Sequence, residues 1–191
     1  MHKQFRTIVE ENPIIAAVKD EEHLKKCCEM EDLRVIFVLF GDICSIGGIV
    51  KKIHAAGKIA MVHMDLVTGL SPKEISVDYM KTEVHADGII TTRNTLVQRA
   101  NELGLYTVLR FFVIDSIALK SITNLGEQHG IKPDFIEVLP GVMPKVLRQI
   151  CRESKIPVIA GGLISDKEDV LGALNAGAAA VSASNPEVWK L

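Results

Sequence analysis

Ile156-Pro157-Val158-Ile159-Ala160-Gly161-Gly162-Leu163-Ile164-Ser165 is an apolar, β-branched run that ends in a glycine pair, and Ala180-Val181-Ser182-Ala183-Ser184-Asn185 repeats the pattern with small hydroxyl residues. Between them, Asp166 to Ala176 carries Val170, Leu171 and Leu174 at helical spacing, with Gly177 placed as a stop. The three segments predict a strand–helix–strand unit whose two strand ends finish side by side. Without side chains, Gly161 and Gly162 let a ligand approach backbone N–H groups. Asn185 reads as a helix N-cap, with Pro186 at the first helical position and Glu187 in the first turn. A short helix there would aim its positive end at the same spot, so the segments predict a phosphate site. In an eight-stranded βα barrel the loops after strands seven and eight, with a short extra helix, form such a site.

Six earlier strands complete that barrel. Apolar runs begin near Ile14, Val35, Ile59, Asp87, Tyr106, Phe135, Pro157 and Ala179. Amphipathic stretches separate them: Glu21–Met30, Ser45–Ala56, Pro72–Val84, Thr95–Leu103, Ser116–His129 and Val142–Glu153. Strands alternating with helices predict a parallel TIM (β/α)8 barrel, compact and forming one domain over residues 1–191. The final outer helix is expected to be truncated, since only Pro186 to Leu191 follow strand eight. Phe5, Ile8 and Val9 sit at helical spacing before Pro13, which predicts a leading helix that plugs the barrel bottom. A partner subunit is expected to cover the open side, giving a homodimer.

Composition excludes several classes. The chain is 48% hydrophobic and 24% charged, as a globular protein is, and contains no apolar run of membrane-spanning length. Met1–Asn12 is too polar for a signal peptide. Cys27, Cys28, Cys44 and Cys151 lack zinc-type spacing, which suggests reduced thiols and a cytoplasmic protein. A net charge of −2 argues against a general polyanion binder but leaves room for a local basic stripe.

In this fold, chemistry sits at the C-terminal ends of strands. There the chain offers Lys19, Asp42, His63-Met64-Asp65, Thr92-Arg93, Arg110 and Glu137. A closed barrel puts strand one beside strand eight, so Lys19 leans towards the phosphate expected at Gly161, Gly162, Ser182, Ser184 and Asn185. Asp65 and Glu137 then face the rest of the ligand, where carboxylates accept hydrogen bonds from hydroxyl groups. Arg110 lies between them and can pair with either. A small phosphorylated polyol fits this arrangement. Three plainer readings stay open: Lys19-Asp20 as a strand end and helix cap, His63 and Asp65 as two metal ligands, and Arg110 with Glu137 as a structural ion pair. No metal or cofactor is expected.

Taken together, Val62-His63-Met64-Asp65-Leu66-Val67-Thr68-Gly69, Gly88-Ile89-Ile90-Thr91-Thr92-Arg93 and Arg110-Phe111-Phe112-Val113-Ile114-Asp115-Ser116 resemble segments of the glycerol uptake operon antiterminator regulatory proteins. So do Asp134-Phe135-Ile136-Glu137-Val138-Leu139-Pro140-Gly141, Ile156 to Ile164, and Val181-Ser182-Ala183-Ser184-Asn185. The similarity runs from about Ile14 to Trp189. It implies a phosphate-binding barrel that senses glycerol 3-phosphate and, with this effector bound, acts on leader messenger RNA of glycerol-utilisation genes. Lys19 falls where the family often has a basic residue.

The alternative is a barrel enzyme, an isomerase or synthase acting on a small phosphorylated polyol, because fold does not settle function. For RNA, Lys145, Arg148, Arg152 and Lys155 fall at i, i+3, i+7 and i+10 and predict one basic helix face, with Val146, Leu147, Ile150 and Cys151 on another. A solvated barrel helix has the same pattern.

Overall fold

The computed structural model describes residues 2–125 and 132–191. Eight parallel strands close into a barrel in sequence order. They are β1 (Ile14–Val18), β2 (Val35–Val38), β3 (Ile59–His63), β4 (Gly88–Thr91), β5 (Tyr106–Phe112), β6 (Phe135–Leu139), β7 (Val158–Gly161) and β8 (Ala180–Ala183). Leading helix α1 (His2–Glu11) precedes them, and α2 (Glu21–Glu29), α3 (Ile46–Ala55), α4 (Glu74–Thr82), α5 (Asn94–Glu102), α6 (Ser116–Thr123), α7 (Pro144–Glu153) and α8 (Lys167–Asn175) wrap the outside. The stretch Ser116–His129 is helical as far as Thr123, and its later part falls partly outside the described residues.

Alternation along each strand sorts side chains to two sides of the sheet. Ile15, Val35, Phe37, Met61, Ile90, Val108, Phe135, Ile159 and Ala180 fill the barrel interior. The intervening residues, such as Ile36, Val62, Ile136 and Val181, pack under the helices. Helix α1 closes the bottom as expected: Phe5 and Val9 are fully buried, and the Phe5 ring stacks on Tyr106 at 4.3 Å and meets Phe135 edge-on at 5.5 Å.

Strand-to-helix turns are fixed by aspartates at N-caps. Asp20 accepts from the His23 N–H of α2, Asp115 from the Ile117 and Ala118 N–H groups of α6, and Asp166 from the Asp169 N–H of α8.

The region after β8 departs from expectation. No helix starts at Pro186; the tail makes a single 3-10 turn over Val188–Lys190. Asn185 instead accepts from the Glu187 N–H at 3.1 Å, and the turn folds outward because its apolar residues have a site to fill. Val188 and Trp189 are buried, with the Trp189 Nε1 donating to the Ala183 carbonyl at 2.7 Å and its ring edge-on to His23 of α2 at 5.9 Å. Thus the chain itself fills part of the gap that a partner subunit was expected to cover.

Candidate functional site

A cavity of about 680 Å³ opens at the C-terminal ends of the strands. Its walls bring together Lys19, Arg110, Glu137, Gly162, Ser182, Ser184 and Asn185, seven of the residues singled out in the sequence, with apolar sides from Leu39, Leu66, Leu139 and Leu163.

Pairing registers fix what lies at the floor. Ala17 pairs with Phe37, Phe37 with Met61, Met61 with Gly88, and the count continues through Arg110↔Glu137 and Glu137↔Ile159 to close on β8 and β1. Strand tilt raises level positions by about one residue per strand, so alternate strands contribute layers of four. By this count Ala17, His63, Arg110 and Gly161 share one level, and Phe37, Ile90, Glu137 and Ser182 lie just below. Two small residues in the upper layer leave room above the lower one.

Glu137 uses that room. Its carboxylate is 1% exposed and accepts from the Arg110 Nε at 2.6 Å and from the Ser182 hydroxyl at 2.6 Å, while Arg110 is 8% exposed. The sequence left Arg110 a choice between Asp65 and Glu137; the adjacent strands β5 and β6 put it in register with Glu137. A charge buried this deeply is tolerated only when paired and hydrogen-bonded. A Cβ on Gly161 would sit 2.5 Å from the Ser182 Oγ and 2.6 Å from a Glu137 oxygen. Gly161 therefore serves the Glu137–Ser182 bond. Gly161 itself is not among the residues that line the cavity. Gly162 does reach the wall, at φ +76°, a conformation that other residues adopt with strain.

Asp65 points elsewhere than its spacing from His63 suggests. Were β3 to continue, Asp65 would face inward like His63, but the chain turns into a 3-10 turn at Met64–Leu66. The carboxylate swings to the next loop, where it accepts from the Thr92 N–H at 2.8 Å, from the Thr91 and Thr92 hydroxyls, and lies 3.5 Å from the Arg93 Nε. It braces the β4 loop and does not line the cavity.

Lys19 is exposed at the rim. On the far side, the Asn185 Nδ2 donates to the Ser165 carbonyl at 2.8 Å, tying the seventh loop to the eighth. Two backbone donors around the start of α8 are taken, since Asp166 holds the Asp169 N–H and Asp169 holds the Ser165 N–H.

His63 was legible only as half of a metal pair, and no group of three or more metal-ligating side chains exists among the described residues. Its ring is 3% exposed, and the Nδ1 is fully buried with no hydrogen-bond partner. Burial, reinforced by the Arg110 charge, pushes its pKa down from 6.5 to about 4, so the ring is neutral at pH 7.

On the outer surface, Lys145, Arg148 and Arg152 are exposed along α7 and share one shallow groove. No carboxylate pairs with any of them among the described residues. Glu153, in the same groove, accepts from Gln149. Lys155 does not extend this face. Helix α7 ends at Glu153, Ser154 adopts an extended conformation, and Lys155 turns into a separate recess beside Arg6 and Glu10. No helix among the described residues is long and apolar enough to cross a membrane.

Comparison with known proteins agrees with this fold. A curated relative from Escherichia coli K12, the uncharacterized protein YgcP, is 44% identical over 184 residues, which cover 96% of this chain and 95% of the relative. A crystal structure of the glycerol uptake operon antiterminator regulatory protein from Listeria monocytogenes str. 4b F2365 superposes with a TM-score of 0.86 at 35% identity, covering 93% of this chain and 94% of that one. A glycerol uptake operon antiterminator-related protein from Thermotoga maritima MSB8 gives 0.81 at 34% identity, covering 94% and 99%. The family described as glycerol-3-phosphate responsive antiterminator matches residues 14–189, nearly the whole barrel. This chain belongs to the glycerol-3-phosphate responsive antiterminator family.

Proposed function

We propose that the protein binds glycerol 3-phosphate in the barrel-mouth cavity and, when loaded, binds leader messenger RNA of glycerol-utilisation genes so that transcription passes a terminator. The observation that carries the ligand reading is the cavity's division into two poles. Lys19, Gly162 and Ser184 line one part, and the Arg110–Glu137–Ser182 chain lines the floor. A phosphate at the first pole takes backbone N–H groups of the positive-φ turn and the Lys19 charge. At the second, a ligand hydroxyl accepts from the Arg110 guanidinium and donates to Glu137, whose carboxylate has lone pairs beyond the two in use. A three-carbon phosphate with neighbouring hydroxyls satisfies both poles.

Family membership supports the RNA reading, and the unpaired cations of α7 supply a surface for it. Lys145, Arg148 and Arg152 contact backbone phosphates, and a homodimer doubles the stripe. Ligand controls RNA binding only through different affinities for two states, so RNA must raise ligand affinity by the same factor that ligand raises RNA affinity. Titration of leader RNA with and without glycerol 3-phosphate tests this. Tighter binding with ligand is expected; identical binding with and without it, or to a scrambled RNA, overturns the reading.

Glu137 beneath the cavity is the feature that speaks for a barrel enzyme. It is already bonded to two donors, and Lys19 at the rim is too exposed to serve as a desolvated nucleophile. Phosphorus and proton spectra of glycerol 3-phosphate held with stoichiometric protein should stay unchanged for hours. Turnover that Glu137→Gln abolishes would favour the enzyme.

A further inference from the structure

We infer that His63 is a ligand-contacting residue that reads the hydroxyl end of the bound polyol, its ring nitrogen hydrogen-bonding a ligand hydroxyl that no protein group replaces. The inference rests on the polyol reading above and adds the residue that distinguishes a polyol phosphate from phosphate alone.

Three observations lead to it. The Nδ1 of His63 is fully buried without a partner, the one such side-chain nitrogen or oxygen among the described residues. Leaving a buried polar atom unpaired costs about 1–3 kcal/mol, so a fold has no structural reason to keep it. By strand register His63 belongs to the same barrel layer as Arg110, whose guanidinium forms part of the cavity wall, and faces the side where Gly161 contributes no side chain. Finally, the turn that follows the ring comes to the cavity wall. Leu66 follows on the 3-10 turn directly after His63, lines the cavity and is 46% exposed.

A neutral imidazole suits this role. One ring nitrogen donates and the other accepts, which matches a hydroxyl and gives no preference for an anion. The depressed pKa of about 4 keeps it so across the physiological range, while Arg110 beside it already supplies the charge. The phosphate pole, at Lys19 and Gly162, is independent of it.

Three proteins and two probes test the inference: the parent, His63→Leu and His63→Asn, each titrated calorimetrically with glycerol 3-phosphate and with inorganic phosphate. His63→Leu removes the unpaired atom and should raise the melting temperature of the ligand-free protein. It should also weaken glycerol 3-phosphate by about tenfold or more, the loss of one hydrogen bond made in a desolvated site. Phosphate affinity should stay within about twofold. His63→Asn, which places an amide where the Nδ1 stood, should keep most of the glycerol 3-phosphate affinity. Parent-like binding by His63→Leu overturns the inference alone, as does an equal loss for both probes, which would mark a general collapse of the cavity. If the parent binds neither probe, the ligand reading falls and the inference with it.

Discussion

Glu137→Gln is the sharpest perturbation of this barrel, because it changes one oxygen to nitrogen and nothing in shape. Ser182 keeps an acceptor in the amide oxygen, whereas Arg110, 8% exposed, loses its counter-charge. Both partners are shielded from solvent and their bond is 2.6 Å, so screening by water or salt is slight. Removing one member of a buried pair typically costs about 3–5 kcal/mol, most of it the stranded charge. For a chain of this size each kcal/mol moves the melting temperature by about 2–4 °C, which puts the expected fall at roughly 6–20 °C. The double variant Arg110→Met with Glu137→Leu removes both charges. It should recover most of that loss and still fail to bind glycerol 3-phosphate. Calorimetric melting of the parent, Arg110→Met, Glu137→Leu and the double variant gives the coupling energy. A Glu137→Gln melting temperature within about 2 °C of the parent would refute the claim that Arg110 has no other way to discharge its burial cost.

Three further outcomes follow from other parts of the molecule. Gly162→Val places a branched side chain at φ +76° with its Cβ 3.1 Å from Leu139, so glycerol 3-phosphate binding should fall below detection in calorimetry while the circular dichroism stays that of the parent. Lys145, Arg148 and Arg152 changed together to Ala should weaken leader RNA and reduce its log–log salt slope by about 2–3, with ligand affinity unchanged in the absence of RNA; a parent-like slope would place the RNA surface elsewhere. His63, with its folded pKa at about 4 against 6.5 when unfolded, binds its proton more weakly in the native state. The unfolded chain therefore takes up the extra proton, and stability present above pH 6.5 is lost as pH falls from about 6.5 to 4, by about 3 kcal/mol. Urea midpoints measured across that window should show the loss in the parent and a shallower one in His63→Leu.

The barrel was legible because each strand is a short β-branched run set off by glycine, proline or aspartate. Seven strand-end residues reached one cavity for the same reason: in this topology position along the chain fixes position around the ring. What misled was direction over the last one or two residues of an element. Asp65 follows His63 by two, which would share its face on a strand, yet the Met64–Leu66 turn intervenes and rotates it towards Thr92. Lys155 keeps helical spacing from Arg152, but Ser154 has already left the helix. Neither break carries a proline or glycine to announce it. Gly161 and Gly162 look alike as letters; only the level of Glu137 below them separates a residue that makes space from one that lines the wall. His63 acquired its meaning from tilt, which brings it level with Arg110 although a whole strand lies between.

The indole of Trp189 gives this chain a built-in optical gauge. It is the sole tryptophan in the sequence, so its emission needs no deconvolution. Enclosed almost completely, it should fluoresce at the blue end of the tryptophan range in the native state and shift red on unfolding. Its Nε1 is held by the carbonyl of Ala183, a residue of the cavity wall, and its ring edge meets His23, whose ring is gripped by Asp20. Any rearrangement of the eighth loop on occupancy is thereby transmitted to a chromophore on the other side of the strand, and effector titrations can be followed without a label.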